Sequence, residues 1–209
     1  MTDATDLSTM CNLYRMSAGV AEIARMFGAA TTEGMNVATD IYPCYPGLVV
    51  ADGKVQQMTW GFPLSLTGKQ GQKLKPKAVT NAREDKLHTA FWKDSFTKRR
   101  CLIPVTQWAE AEGEKGKMTR TWYAMPGDGP FAVAGLWRPT VEWGNAYSMV
   151  MVDSCGHMVE VHDRMPVLLT PDMWEQWTTG TPQEAFDLCK TWTGELLVEK
   201  TQDRWAGPR

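Results

Sequence analysis

Short runs of β-branched and aromatic residues, each ended by glycine, proline or aspartate, recur along most of this chain. Runs of this length and composition are typical of strands, and the residues at their ends favour turns. They do not alternate regularly with helical patterns, which excludes the parallel sheet of an α/β protein. Asp52 and Gly53 tolerate the positive φ angles of a hairpin turn. The predicted strands are 48–50, 55–60, 100–105, 121–125, 131–137, 146–152 and 166–169.

Helical patterns are few and lie outside these runs. Residues 17–27 place apolar side chains on one face and are followed by a glycine, which predicts a helix. Thr170 and Thr181 each precede a proline at a first helical position, and Glu184 completes a capping box with Thr181. Residues 67–76 are predicted to be a flexible loop. With 209 residues, 43% of them hydrophobic, we predict one mainly β domain with a few short helices.

Charge is distributed unevenly along the chain. The formal net charge is −2, yet residues 69–100 contain ten Lys or Arg against three Asp or Glu, a local net charge of +7. This pattern favours a local phosphate-binding groove, although a solvated lysine-rich loop has the same composition. Trp60 and Phe62 lie just before the segment. Their rings are interpreted either as core packing or as a platform on which unpaired bases stack.

The cysteines and the hydropathy exclude several classes of protein. Five cysteines without a Cys-x-x-Cys pair argue against a disulfide framework. Cys155 and His157 are the only close Cys/His pairing, and without a second pair at ligand spacing we predict neither metal nor cofactor. No run approaches the roughly 18 apolar residues of a membrane span, and residues 1–9 lack the pattern of an export signal. We therefore expect a soluble, cytoplasmic protein.

Four short segments carry polar side chains that packing does not explain. They contain the thiol of Cys11, the amide of Asn81, the carboxylate of Glu110 and the imidazole of His162. Taken singly, these have ordinary interpretations: a small buried residue, a turn residue, a solvated charge and a hydrogen-bonded core histidine. Their combination indicates a catalytic site. The segments are Met10-Cys11-Asn12, Thr80-Asn81-Ala82-Arg83, Gln107 to Glu112 and Val161 to Pro166.

In order and approximate spacing, these segments resemble the SRAP family, the SOS response-associated peptidase domain. Its members begin Met-Cys and carry Asn-Ala-Arg, an aromatic-rich segment ending in Glu, and His-Asp-Arg-Met-Pro. The resemblance runs from Met10 to about Trp177. It implies an α+β fold, a single compact domain with a β-barrel-like antiparallel core, peripheral short helices and a DNA-binding cleft. It also implies covalent capture of abasic sites in single-stranded DNA, autocatalytic exposure of the N-terminal cysteine and a link to the SOS response.

The resemblance assigns roles by motif position. Cys11 would supply its α-amine and its thiol to the aldehyde of a ring-opened abasic site, closing a thiazolidine. Asn81 would hold the attack geometry, and Glu110 would act as general acid/base. His162 would donate a proton to the sugar oxygen. The candidate DNA-contacting residues are Arg83, Arg164, Trp60, Phe62 and Lys77.

This chemistry requires Cys11 to be the first residue. We expect residues 1–10 to be absent from the working protein, either because translation starts at Met10 or because they are a leader cleaved by the same site. The predicted domain is then 11–209. Three places depart from the family pattern and affect the predicted pocket, and Glu112 is an alternative to Glu110. The departures are Asn12-Leu13-Tyr14, Tyr42 to Pro46, and Ala109.

Two further functions are compatible with these residues. A thiol peptidase acting on other proteins would use a Cys11–His162 dyad, which needs no free amine. A non-catalytic single-strand binding module would use only the basic segment and the aromatic residues. For the leading hypothesis we predict a monomer whose partner is single-stranded DNA containing abasic sites, with no membrane or metal partner, at the nucleoid if the source is bacterial.

Overall fold

The computed structural model describes residues 11–31, 34–127 and 129–205. The predicted leader, residues 1–10, lies outside the described residues. Within them the chain forms fifteen strands, four α-helices and three 3₁₀-helices. The strands are β1 (Tyr14–Arg15), β2 (Asp40–Ile41), β3 (Pro46–Ala51), β4 (Lys54–Trp60), β5 (Phe62–Thr67), β6 (Lys73–Val79), β7 (Asn81–Arg83), β8 (Arg100–Val105), β9 (Gln107–Glu112), β10 (Thr119–Ala124), β11 (Phe131–Thr140), β12 (Gly144–Asp153), β13 (Arg164–Pro166), β14 (Leu168–Leu169) and β15 (Leu197–Arg204). The helices are α1 (Val20–Met26), α2 (Lys93–Lys98), α3 (Trp174–Thr179) and α4 (Pro182–Phe186), with 3₁₀ turns at Glu84–Lys86, Gly156–Glu160 and Pro171–Met173.

Five strands close into a barrel in the order β12, β4, β3, β8, β11 and back to β12. Its strands carry buried aliphatic side chains such as Val49, Ile103, Val133 and Val150. The predicted α+β domain with a barrel-like core is confirmed. The pairing is not wholly antiparallel: β4 and β7 both run parallel to β12.

The parallel pairing arises because the chain leaves the barrel at Gly61 and returns to the same edge of β12 at β7. Gly61 has a φ of 110°, and a Cβ at this position would lie 2.7 Å from the Cβ of Ala78, so the turn requires glycine. Between the two strands, β5 and β6 form a separate two-stranded hairpin. The flexible loop predicted at 67–76 is therefore wrong at both ends: Thr67 ends β5, and residues from Lys73 onward belong to β6.

Local turn and cap chemistry predicted several boundaries correctly. The 48–60 hairpin is confirmed, with Asp52 and Gly53 at φ angles of 51° and 69°. The capping box of Thr181 and Glu184 is present at α4. Helix α1 is shorter than the predicted 17–27: it begins at Val20, and Gly19 occupies its N-cap position.

A second, five-stranded sheet has the order β15, β10, β9, β1 and β2. Most of it was missed from the sequence, because β1 and β2 have two residues each and β15 is almost wholly polar and exposed. This sheet brings the first described residues next to β9. None of the helices in the described ranges is long and apolar enough to cross a membrane.

Candidate active site

The position of Cys11 is fixed by the strand that follows it. Tyr14 pairs with Trp108 of β9, and one residue pair further along Ala109 donates its N–H to the carbonyl of Leu13 at 3.0 Å. Residues 11–13 thus continue along β9 toward Glu110. Cys11 is fully buried.

Asn81 joins Cys11 to the barrel. The carbonyl of the preceding Thr80 accepts the N–H of Met149 at 2.9 Å and the indole N–H of Trp60 at 3.2 Å, which holds the start of β7 in place. The Asn81 side chain is 4% exposed, and its Nδ2 donates to the main-chain oxygen of Cys11 at 2.9 Å. The amide predicted to organise the site therefore contacts the backbone of the predicted nucleophile.

Glu110 is the buried carboxyl of the site. It is 1% exposed, and burial, together with the negative charge of Asp163, raises its pKa well above the usual value. A carboxyl in this state holds a proton at higher pH than a solvated one and can donate it. Glu112 differs: it is part-exposed, and Lys200 and Thr121 lower its pKa. Glu110 rather than Glu112 thus has the environment of an acid/base group.

The Cys11 thiol is a poor nucleophile at rest. Burial raises its pKa first, and the neighbouring charge of Glu110 raises it further. The thiol donates to the carbonyl of Leu13 at 3.7 Å. Attack by sulfur therefore requires a group that removes its proton.

Two buried acceptors beside Cys11 have no hydrogen-bond donor among the described residues. They are Oδ1 of Asn81 and Oε1 of Glu110. Orphaned buried acceptors are rare, and each one costs free energy unless a donor reaches it. Both acceptors belong to side chains that interact with Cys11.

His162 precedes Asp163, whose charge acts on Glu110. Its Nδ1 accepts the N–H of Arg164 at 2.9 Å and lies 3.3 Å from Asp163 Oδ1. Nδ1 also lies 3.2 Å from the carbonyl oxygen of Arg164, to which the other tautomer donates. Nε2 has no hydrogen-bond partner in the part of the chain described. No hydrogen bond joins this ring to Cys11 within the same ranges, so the structure gives the predicted Cys11–His162 dyad no support.

A cleft of about 570 Å³ opens next to this group. Asn12 and Asn81 line one part of it, and Lys77, Tyr42 and Trp205 line another. The sequence predicted Asn81 and Lys77, and placed Tyr42 to Pro46 among the departures that affect the pocket, but it did not predict Trp205. The neighbours of Trp205 along the chain carry no chemical motif, and folding alone brings it to the cleft.

The basic segment divides into paired and unpaired cations. Arg83 pairs with Asp85. Outside the segment, Arg164 pairs with Glu84 and Asp153. Arg100 is buried and donates to main-chain carbonyls of Phe96, Trp177 and Gly180, which is a structural role. Four lysines of the β5–β6 hairpin make no ion pair with any described residue. They are Lys69, Lys73, Lys75 and Lys77.

Trp60 and Phe62 are both fully buried, so neither ring presents a face to a base in this conformation. Trp60 packs edge-on against Tyr14 and donates to Thr80, and Phe62 packs against Trp92. Their burial fits core packing, the other interpretation of their sequence position. No group of three or more potential metal ligands occurs within the described ranges.

The chain matches one family model and is similar in fold to several solved structures. The family model of the SOS response associated peptidase (SRAP) matches residues 10–203. No curated protein matches the sequence. A protein from Bordetella bronchiseptica superposes with a TM-score of 0.77 at 20% identity, covering 91% of this chain and 99% of its own. One from Bacteroides thetaiotaomicron gives 0.76 at 19%, covering 91% of each chain, and a phage-related B. bronchiseptica protein gives 0.68 at 20%, covering 95% and 100%. At these identities the likeness concerns the fold alone.

Proposed function

This chain belongs to the SOS response associated peptidase (SRAP) family, and we propose that it captures abasic sites in single-stranded DNA as a covalent thiazolidine on Cys11. The proposal includes the loss of residues 1–10, because only an N-terminal cysteine carries a free α-amine beside its thiol. It also includes autocatalytic removal of that segment where translation does not already begin at Met10.

The observation that carries the proposal is the pair of orphaned acceptors around Cys11, Asn81 Oδ1 and Glu110 Oε1. An α-amine at Cys11 would add donors to this group, in which Asn81 already contacts the Cys11 carbonyl and Glu110 interacts with the Cys11 thiol. An internal Cys11 has a single amide N–H and cannot satisfy two acceptors as well. The polar groups of the site thus suit a chain that starts at Cys11.

The chemistry proceeds in two additions to one carbon. The α-amine attacks the C1′ aldehyde of the ring-opened abasic sugar and forms a carbinolamine. Protonated Glu110 gives its proton to the departing hydroxyl, so that water leaves and an iminium, which keeps the proton on nitrogen, forms. The resulting carboxylate then takes the proton of the Cys11 thiol, and the thiolate adds to the iminium carbon to close the ring as a neutral thiazolidine. One water is lost overall, and the raised pKa values of Glu110 and Cys11 match the order of these transfers.

Other described groups support the steps before and after capture. The imidazole of His162 serves as proton donor to the sugar oxygen during ring opening. The unpaired hairpin lysines supply phosphate contacts, with Lys77 lining the cleft itself. Arg83 and Arg164 can contact phosphate only by exchanging their present carboxylate partners.

A test of the proposal mixes protein that starts at Cys11 with single-stranded DNA containing one abasic site and separates the products on a denaturing gel. A covalent band that requires the abasic site supports it. Salt-sensitive binding without a covalent band would indicate the binding module instead. Cleavage of other proteins by a chain that retains residues 1–10 would indicate the thiol peptidase.

We predict that Asn81→Ala slows adduct formation by roughly 5- to 150-fold. The change removes a buried hydrogen bond to the Cys11 backbone, worth about 1–3 kcal/mol where the partner is left unsatisfied. The measurement is the single-turnover rate of adduct formation. Asn145→Ala, an exposed asparagine on β12, is the matched control, and equal rates for the two variants would refute the positioning role.

We predict that replacing Lys73, Lys75 and Lys77 by glutamine lowers the salt dependence of single-strand binding. Removal of one phosphate contact reduces the slope of log K against log salt concentration by about 0.7, so removal of all three lowers it by about 2. Binding is measured by fluorescence anisotropy on undamaged DNA at several salt concentrations. The control replaces exposed Lys115, Lys117 and Lys190; an equal decrease in slope there would place the phosphate-binding residues elsewhere.

A further inference from the structure

A second cavity, of about 250 Å³, adjoins the main cleft. The two share Val79 and Asn81, and their other walls differ. Most of the second cavity is apolar, with Leu64, Phe91 and Trp92 among its lining residues. It therefore begins at the residue that binds Cys11 and extends away from it over an apolar surface.

The aromatic part of this cavity is held rigidly. The guanidinium of Arg138 lies 4.5 Å from the ring centroid of Phe91 and donates to the Phe91 carbonyl at 3.1 Å. Trp92 packs against the same ring edge-on, with 4.7 Å between centroids. Because these contacts already order the ring, a ligand that packs on it loses little free energy in arranging the site.

The two cations that line the cavity share one carboxylate partner. Arg83 and Lys86 line it, and Asp85 contacts both, at 3.0 Å and 3.5 Å respectively. A phosphate oxygen forms the same kind of contact with a guanidinium and an ammonium. The cavity thus combines an apolar, aromatic surface with a place for one anionic group, which is the composition of a nucleotide site.

We propose that this cavity binds the base of the nucleotide next to the abasic site, with its phosphate exchanging for Asp85 at Arg83 and Lys86. The inference rests on the proposed function, since it takes the lesion to be at Cys11. An abasic sugar offers no base, so the adjacent nucleotide supplies the first apolar surface available for recognition. The cavity wall is mainly apolar, and the site therefore accepts any base on one side of the lesion.

The test uses three single-stranded DNAs that each contain one abasic site. In the first both neighbouring nucleotides carry bases; in the others the 5′ or the 3′ neighbour is replaced by a stable tetrahydrofuran spacer. The second-order rate of adduct formation is measured at limiting protein concentration. Loss of the base on one side should slow capture by about 5- to 150-fold, the range for a single stacked base, and loss on the other side should have a much smaller effect.

Variants connect the effect to the cavity. Phe91→Leu and Leu64→Ser should each reduce the difference in capture rate between the DNA with both neighbouring bases and the DNA that lacks one. Leu66→Ser, on the same strand as Leu64 but outside the cavity, should preserve that difference. The inference is overturned if neither flanking base matters, or if both cavity variants keep the full difference. In those cases capture of the first DNA still supports the proposed function, while absence of capture on every DNA contradicts the proposed function itself.

Discussion

In a chain that starts at residue 11, Cys11→Ser should eliminate the adduct that survives heating on a denaturing gel. The variant keeps the α-amine and still forms an imine with the abasic aldehyde. It lacks the sulfur that closes the thiazolidine, and the imine hydrolyses. Adding borohydride during the reaction should restore a band, because reduction traps the imine as a stable amine.

An exposed thiol at the cleft supplies the control. Cys44 lines the same cleft and is exposed, so Cys44→Ser tests whether any nearby thiol suffices. We expect its heat-stable adduct to match that of the unsubstituted chain. A heat-stable adduct from Cys11→Ser without reductant would show that the thiol of Cys11 is dispensable, and the mechanism would then be wrong.

Glu110→Gln should slow adduct formation by about 10²- to 10⁴-fold, the usual contribution of a positioned acid/base group. Glutamine preserves the shape of the side chain but neither gives a proton to the departing hydroxyl nor accepts one from the thiol. Glu112→Gln is the matched control, two residues along the same strand, and should leave the rate nearly unchanged. Similar losses in both variants would contradict the assignment.

The pH dependence of stability gives a second signature of Glu110. Burial raises the pKa of Glu110 in the folded state. The stability that its protonated form contributes is therefore complete below the pKa of the unfolded state, and it is lost as the pH rises through the pKa of the folded state. Glu110→Gln should therefore gain in free energy of unfolding relative to the parent chain between pH 5 and pH 8. Glu112, whose pKa is lowered, stabilises the fold above its unfolded pKa, so Glu112→Gln should lose stability at neutral pH. Urea denaturation at both pH values measures the two trends.

The sequence predicted elements whose signals are local. Asp52-Gly53 and the Thr181–Glu184 capping box specify backbone geometry within a few residues, and both are present. The β5–β6 hairpin was missed because its alternating lysines resemble a solvated loop. Its strands pair with each other rather than with the barrel, so no apolar stripe marks them.

In the site, too, the sequence predicted what local motifs specify and not what tertiary contacts decide. Motif spacing identified Asn81 and Glu110, and the structure brings both to Cys11. Burial was not predictable: Trp60 precedes a basic segment, yet it is a core residue that supports Asn81 through Thr80. The partners of Arg83 and Arg164 come from carboxylates whose positions depend on tertiary contacts.

The most direct test of the aminothiol mechanism is the intact mass of the product formed with DNA that carries one abasic site. Two proteins are compared: one that starts at Cys11, and one that retains residues 1–10 with its uncleaved mass verified before and after the reaction. We predict that the first gives a species with the summed mass of protein and DNA less one water, formed without reductant, and that the second gives none. Equal adduct formation by the uncleaved chain, or no adduct from the chain that starts at Cys11, would contradict the account.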